Sequence, residues 1–277
     1  MTDIHFSDST IIFIGLSGAV MMLLPIILFA VLKVKKNIPV KPVFVGAMIF
    51  VLFALVLKLP IAYLLYYADN PVAKEINSDP CLYFVIAGML AGIFEESGRF
   101  IAYKTLLKKD RNRITSLSYG VGHGGIESLY IGIQMLSLIA LALMVNSGGI
   151  AQITGDLDPA QTAVAEEQIR QYAAFDGIHA VLGVVERASA ICFHIAMSFL
   201  VFKAANDKKS LWLYPFAVFI HALIDFSIVF TKFDVPMYVF EIVFASVSAL
   251  ALFLSYKFVY KTVEPPEQQC ADELPEQ

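Results

Sequence analysis

Apolar residues gather in seven runs, each long enough to cross about 30 Å of hydrocarbon at roughly 20 residues apiece. They fall near residues 10–34, 42–66, 81–106, 115–145, 174–203, 211–230 and 236–259. The pattern predicts an all-α, polytopic transmembrane helical bundle of about seven spans. A short polar start, MTDIHFSDS, precedes the first run with no positive n-region, and no small-residue cleavage site separates it from Lys33, Lys35 and Lys36. The first run is therefore expected to remain as a span. Lys and Arg occupy alternate loops: Lys33, Lys35, Lys36 and Lys41, then Lys104, Lys108, Lys109, Arg111 and Arg113, then Lys203, Lys208, Lys209, Lys257 and Lys261. The opposite loops hold only Lys74, Arg170 and Lys232. That asymmetry predicts the N-terminus outside and the C-terminus in the cytoplasm.

Between the spans, the outer loop 147–173 carries Asp158 followed by Pro159, an N-cap and first helical residue, which predicts a short surface helix. The final stretch, EPPEQQCADELPEQ, is Pro-rich and acidic and is expected to be a disordered tail. Residues 1–262 are thus expected to form one integral membrane domain and residues 263–277 the cytoplasmic tail. No internal repeat stands out, so an inverted-repeat transporter gains no support from symmetry.

Composition agrees. The chain is 58% hydrophobic and 16% charged with a mean hydropathy of +0.71, which excludes an ordinary soluble domain. The expected surroundings are a lipid bilayer, a bacterial plasma membrane crossed several times, with no nucleic-acid partner. The net charge of −4 owes much to the acidic tail. Cys81, Cys192 and Cys270 lie far apart with no CxxC, so no disulfide framework or thiolate metal site is indicated, and Cys81 and Cys192 are expected as small buried side chains.

Against this background a few polar residues stand out. GIFEESGRFIAYK, residues 92–104, places Glu95, Glu96 and Arg99 inside the third span. An intramembrane charge costs about 2.5–3.5 kcal/mol on insertion scales, so three on one turn need partners, water or a function. Either glutamate can pair with the arginine, Glu95 at i,i+4 and Glu96 at i,i+3. The fourth span carries GVGHGGIESLY with His123 and Glu127 four apart. The fifth carries Glu186, Arg187 and His194, and the sixth has His221 and Asp225 four apart. Counted from the cytoplasmic ends, Glu95, Glu96, His123, His194 and His221 all lie about 12–18 Å deep at 1.5 Å per residue. Helices alternating in direction thus bring them to one plane, and a single polar site is expected rather than scattered core contacts. Gly120, Gly122, Gly124 and Gly125 around His123 would let a neighbour approach closely. Lys58 beside Pro60, His179 and Glu241 stand outside the set; a helix break or snorkelling, a local hydrogen bond and an interfacial position are expected for them.

Carboxylates with several imidazoles can activate water. One glutamate would take a proton from water as it attacks a carbonyl, while histidines steady the oxyanion or protonate the leaving amine. Alternatively, His123, His194 and His221 could bind a divalent ion such as zinc, with Glu95 or Glu96 as base. The residue pattern suits both. There is no HExxH zinc motif, no GxSG serine motif and no pair of intramembrane aspartates. Three rivals use the same residues: a proton- or ion-coupled carrier, a non-catalytic interaction or immunity protein, and a haem-binding redox protein, against which the glutamate pair argues.

EESGR (95–99), GVGHGGIE (120–127), the ER…FHIAMS stretch (186–198) and HALID (221–225) resemble the YhfC family of intramembrane peptidases, and more distantly the PrsW-type and CAAX-processing/bacteriocin-immunity membrane proteases. The resemblance covers the core spans at about 81–230. It implies that Glu95 and Glu96 are the catalytic pair, Arg99 the basic residue, and His221 with Asp225 the last motif. HxxxE at 123–127 is closer to the FxxxE of PrsW-type proteins than to FxxxH, and either His123 or His194 could fill the middle role. The resemblance implies hydrolysis of a peptide bond in or near the membrane, on a membrane-associated peptide or protein substrate; Glu127, Arg99 and Asp225 are expected to orient the histidines.

Overall fold

A computed structural model of the chain describes residues 4–233 and 235–263, apart from the side chain of residue 160. The expected tail lies outside these residues beyond Val263, as does Cys270. All regular structure among the described residues is helical: α1 (Asp8–Lys36), α2 (Val40–Phe50), α3 (Lys58–Tyr66), α4 (Pro71–Ser78), α5 (Pro80–Lys104), α6 (Arg113–Gly148), α7 (Ala151–Thr154), α8 (Pro159–Ala173), α9 (Gly177–Asn206), α10 (Leu213–Phe226) and α11 (Met237–Phe258). Among the described residues seven stretches are long and apolar enough to cross a membrane: Asp8–Lys36, Val40–Tyr66, Pro80–Lys104, Arg113–Gly148, Gly177–Asn206, Lys208–Lys232 and Met237–Thr262. They coincide with the seven apolar runs to within a few residues.

Local chemistry sets the helix starts. The Asp79 side chain accepts from the Cys81 N–H at 2.8 Å, and Pro80 occupies the first turn of α5, where its missing N–H costs nothing. Asp158 caps α8 by accepting from Gln161 N–H at 2.9 Å, while its own N–H reaches Gln161 Oε1 at 3.4 Å, a reciprocal capping box. In the second span, a π-helical stretch, Val51–Leu57, separates α2 from α3. Pro60 follows three residues after its end, and it cannot donate to the carbonyl four residues back, so the regular pattern of hydrogen bonds is already broken here.

The chain forms two compact units. One comprises Met1–Ile26 and Ser128–Arg187. Its core contains Ile4, Phe6, Ile14, Ala142, Val145 and Ile169, and the Asn146 side chain bonds both the N–H and the carbonyl of Phe6 at 2.8 Å. The other comprises Ile27–Glu127 and Ala188–Gln277. Here α9 is the enclosed helix: from Ser189 to Ala205 only Cys192 and Lys203 are not buried. Its Phe193, Met197, Val201 and Phe202 pack with Tyr103 of α5, Leu107 in the turn after it, Tyr119 of α6, and Leu213 and Ala217 of α10.

Three residues differ from expectation. Cys81 is exposed and Cys192 half-buried, because Cys81 sits in the outermost turn of α5. Glu241 is buried rather than interfacial, because it shares the inward face of α11 with Phe244 and Ser248 at i+3 and i+7.

Candidate active site

The site lies wholly within the second unit and is built from α5, α6, α9 and α10. Its glycines admit the helices. A Cβ on Gly122 would stand 1.9 Å from the Val43 carbonyl oxygen, and one on Gly46 would stand 2.3 Å from that of Tyr119, so α2 and α6 touch backbone to backbone. Gly88 and Gly92 give α5 the same closeness to α10, with Cβ positions 2.3 Å and 2.6 Å from the carbonyl oxygens of Ala222 and Val218. Gly120 and Gly124 meet the α9 backbone at Ile195 and Ile191. These contacts bring four helices within reach of short polar side chains.

Glu95, Glu96, Arg99, His123, His194 and His221 are all buried. Arg99 donates through Nη1 to both oxygens of Glu96, at 2.6 Å to Oε1. Glu96 Oε1 also faces His221 Nδ1 at 2.7 Å. Arg99 Nη2 lies 3.2 Å from His194 Nδ1, and His194 Nε2 lies 2.5 Å from Glu127 Oε2. Glu95 Oε2 faces His123 Nε2 at 3.1 Å and His221 Nε2 at 3.8 Å. His221 Nε2 is also 3.9 Å from Asp225 Oδ2. The rings crowd together, with centroids 4.8 Å apart for His123 and His194 and 5.4 Å apart for His194 and His221. All eight residues singled out from the sequence are therefore in one constellation. Glu127 and Asp225 are its open edge, with side chains 20% and 35% exposed against 7% or less for the others.

The set holds four carboxylates and one guanidinium. That imbalance in a buried place calls for protons on imidazoles or for a bound cation. Glu95, His123 and His194 can each present a ligand atom within 4.8 Å of the others. A carboxylate with imidazoles suits zinc and its neighbours among the divalent metals. Among the described residues His123 Nδ1, Arg99 Nε and the Tyr119 hydroxyl are buried and find no hydrogen-bond partner.

Tyr119 was not legible as part of the site. Its ring stacks on His123 at 5.9 Å, and the Arg99 guanidinium lies 5.8 Å from its centroid. The only signal was its place four residues before His123 on the same helical face, and an aromatic in a membrane helix is ordinarily packing. Glu186 and Arg187 pair with each other, in the first compact unit. His179 Nδ1 bonds Asp176 Oδ1 at 2.7 Å, the local hydrogen bond expected of it.

Fold and site define an all-helical, multi-pass membrane protein with a buried glutamate–histidine–arginine cluster. The chain belongs to the YhfC family: residues 20–247 match the family described as YhfC intramembrane metalloprotease. It is 32% identical over 253 residues to "Uncharacterized membrane protein YhfC" of Bacillus subtilis (strain 168), a match covering 89% of this chain and 95% of that protein. No solved structure matches. The chain is accordingly a multi-pass protein of a bacterial plasma membrane.

Proposed function

We propose that the protein is an intramembrane peptidase that hydrolyses a peptide bond in or near the bilayer with water activated at Glu95. The observation that carries this is the difference between the two glutamates. Glu96 is tied to Arg99 and His221, whereas among the described residues Glu95 faces imidazole nitrogens, at 3.1 and 3.8 Å. Glu96 is the anchor and Glu95 the base. Glu95 takes a proton from water as the water oxygen bonds to the substrate carbonyl carbon. Without a metal, His123 and a His221 protonated on both nitrogens bear on the developing oxyanion, and the proton returned from Glu95 leaves with the amine as the C–N bond breaks. Glu127 and Asp225, at the open edge, orient His194 and His221.

The donor set also fits a divalent ion such as zinc, which the family description names by class. Glu95 and His123 would hold it, with His194 grouped beside them by proximity and His221 the further histidine expected from the sequence, and when bound it would supply a polarised carbonyl and a water of lowered pKa. Residues 1–262 serve as one membrane domain, with the N-terminus outside, the C-terminus in the cytoplasm and residues 263–277 an appended tail.

Purified protein in liposomes, offered a panel of single-span and lipid-anchored peptides in ¹⁸O-water, tests the reading. Cleavage should place one ¹⁸O in the new carboxyl group, and Glu95→Gln should slow it by about 10²-fold or more. Cleavage that survives Glu95→Gln would remove Glu95 as the base. Proton or ion flux without hydrolysis would replace the peptidase with a carrier.

A further inference from the structure

His194 has opposite partners on its two ring nitrogens. Nδ1 lies 3.2 Å from Arg99 Nη2. A guanidinium only donates, so Nδ1 must accept and carries no proton. Nε2 lies 2.5 Å from a carboxylate oxygen of Glu127. With Nδ1 accepting from Arg99, the single proton of the neutral ring sits on Nε2, beside that carboxylate. Arg99 is not free to turn away, because it is fully buried and its Nη1 is held by both oxygens of Glu96.

His221 is the reverse case. Its Nδ1 faces Glu96 Oε1 at 2.7 Å and donates to it, which leaves the Nε2 lone pair toward Glu95 at 3.8 Å. A carboxylate on the far nitrogen is the arrangement that orients a metal-binding histidine and raises its basicity. Arg99 thus acts on two histidines at once, directly on His194 and through Glu96 on His221, and sets them to opposite tasks.

We infer that His194 is a positioning residue, locked by Arg99 as the Nε2–H tautomer beside Glu127, and that it does not ligate an ion held by the cluster. The inference deepens the peptidase reading, on which the role of that N–H rests, and it leaves His221 as the histidine with a lone pair to offer. By proximity alone His194 groups with Glu95 and His123. Its lone pair, however, is already spent on Arg99.

The test is a long-range ¹H–¹⁵N spectrum of the wild-type protein in nanodiscs, labelled with [¹⁵N]histidine. The spectrum is recorded before and after one equivalent of zinc, with His194 assigned against His194→Gln. The expected result is a protonated Nε2 and a bare Nδ1 on His194, both unmoved by zinc. In parallel, His194→Gln should bind zinc as wild type does, while His221→Gln should weaken binding at least tenfold. A protonated Nδ1, a His194 signal that moves on zinc addition, or zinc lost from His194→Gln would overturn the inference. If wild-type protein takes up no zinc, the metal form of the function fails, yet the spectrum still decides the tautomer. Should His194→Gln not fold, the other four histidines, substituted one at a time, assign His194 by elimination.

Discussion

Glu95 and Glu96 are neighbours in the chain and opposites in the site, and the difference has an energetic signature. Glu96 and Arg99 are fully buried and bonded to each other, so removing one leaves the other charge uncompensated. Breaking such a pair costs about 3–5 kcal/mol, whereas replacing both partners by apolar groups can be nearly neutral. Arg99→Met should therefore lower the unfolding free energy in micelles by about that amount. Adding Glu96→Leu should recover much of it, and additive losses would show that the two side chains are not coupled. This pairing was only half legible. Spacing allowed either glutamate to meet Arg99, and what decides is His221, which reaches Glu96 from 125 positions away. The depth of each charge in its span could be counted along the chain. The tautomers could not, because they depend on partners from other helices.

Among the elements, helix closeness is set by hydrogen atoms where side chains would stand. Gly122→Ala puts a methyl 1.9 Å from a backbone oxygen of α2, so those helices must part. Gly15→Ala meets only the end of Ile139, at 3.5 Å. The expected outcome is loss of folded protein for Gly122→Ala and a wild-type yield for Gly15→Ala, read by size-exclusion of extracted membranes. At the other end of the scale, Asp176 caps α9 by accepting from Ile178 and His179 N–H groups at 3.0 Å. The His179 backbone N–H, followed by its side chain, holds the Asp176 carboxyl below its ordinary range. Its folded-state value is the lower one, so its contribution is present above the ordinary carboxylate range and fades as pH falls through it. Amide exchange in the first turn of α9 should accelerate at acid pH in wild type, and Asp176→Asn should blunt that dependence. Caps such as Asp158-Pro159 were legible because their chemistry is local. The π-helical stretch in the second span was not, though Pro60 marked its neighbourhood.

For the whole molecule, seven spans could be read from apolar run length alone, because a bilayer imposes one length on every crossing. The division into two compact units could not, since it joins Met1–Ile26 to Ser128–Arg187 across a hundred residues. The lysine-rich loops make a further prediction about sidedness. A single cysteine at Lys109, in a background without native cysteines, should react with an impermeant maleimide only after the cell is opened, and one at Glu167 should react in intact cells. The opposite pattern would invert the molecule. The enclosed stretch of α9 is covered in part by α10 and by Ala251 and Leu252 of α11, which the ribosome has not yet produced when α9 enters the membrane. At about 5–20 residues per second, several seconds pass before those covers exist. During that interval a helix carrying His194 waits in lipid, so the nascent chain needs a holding partner or tolerates a transient, protease-sensitive intermediate.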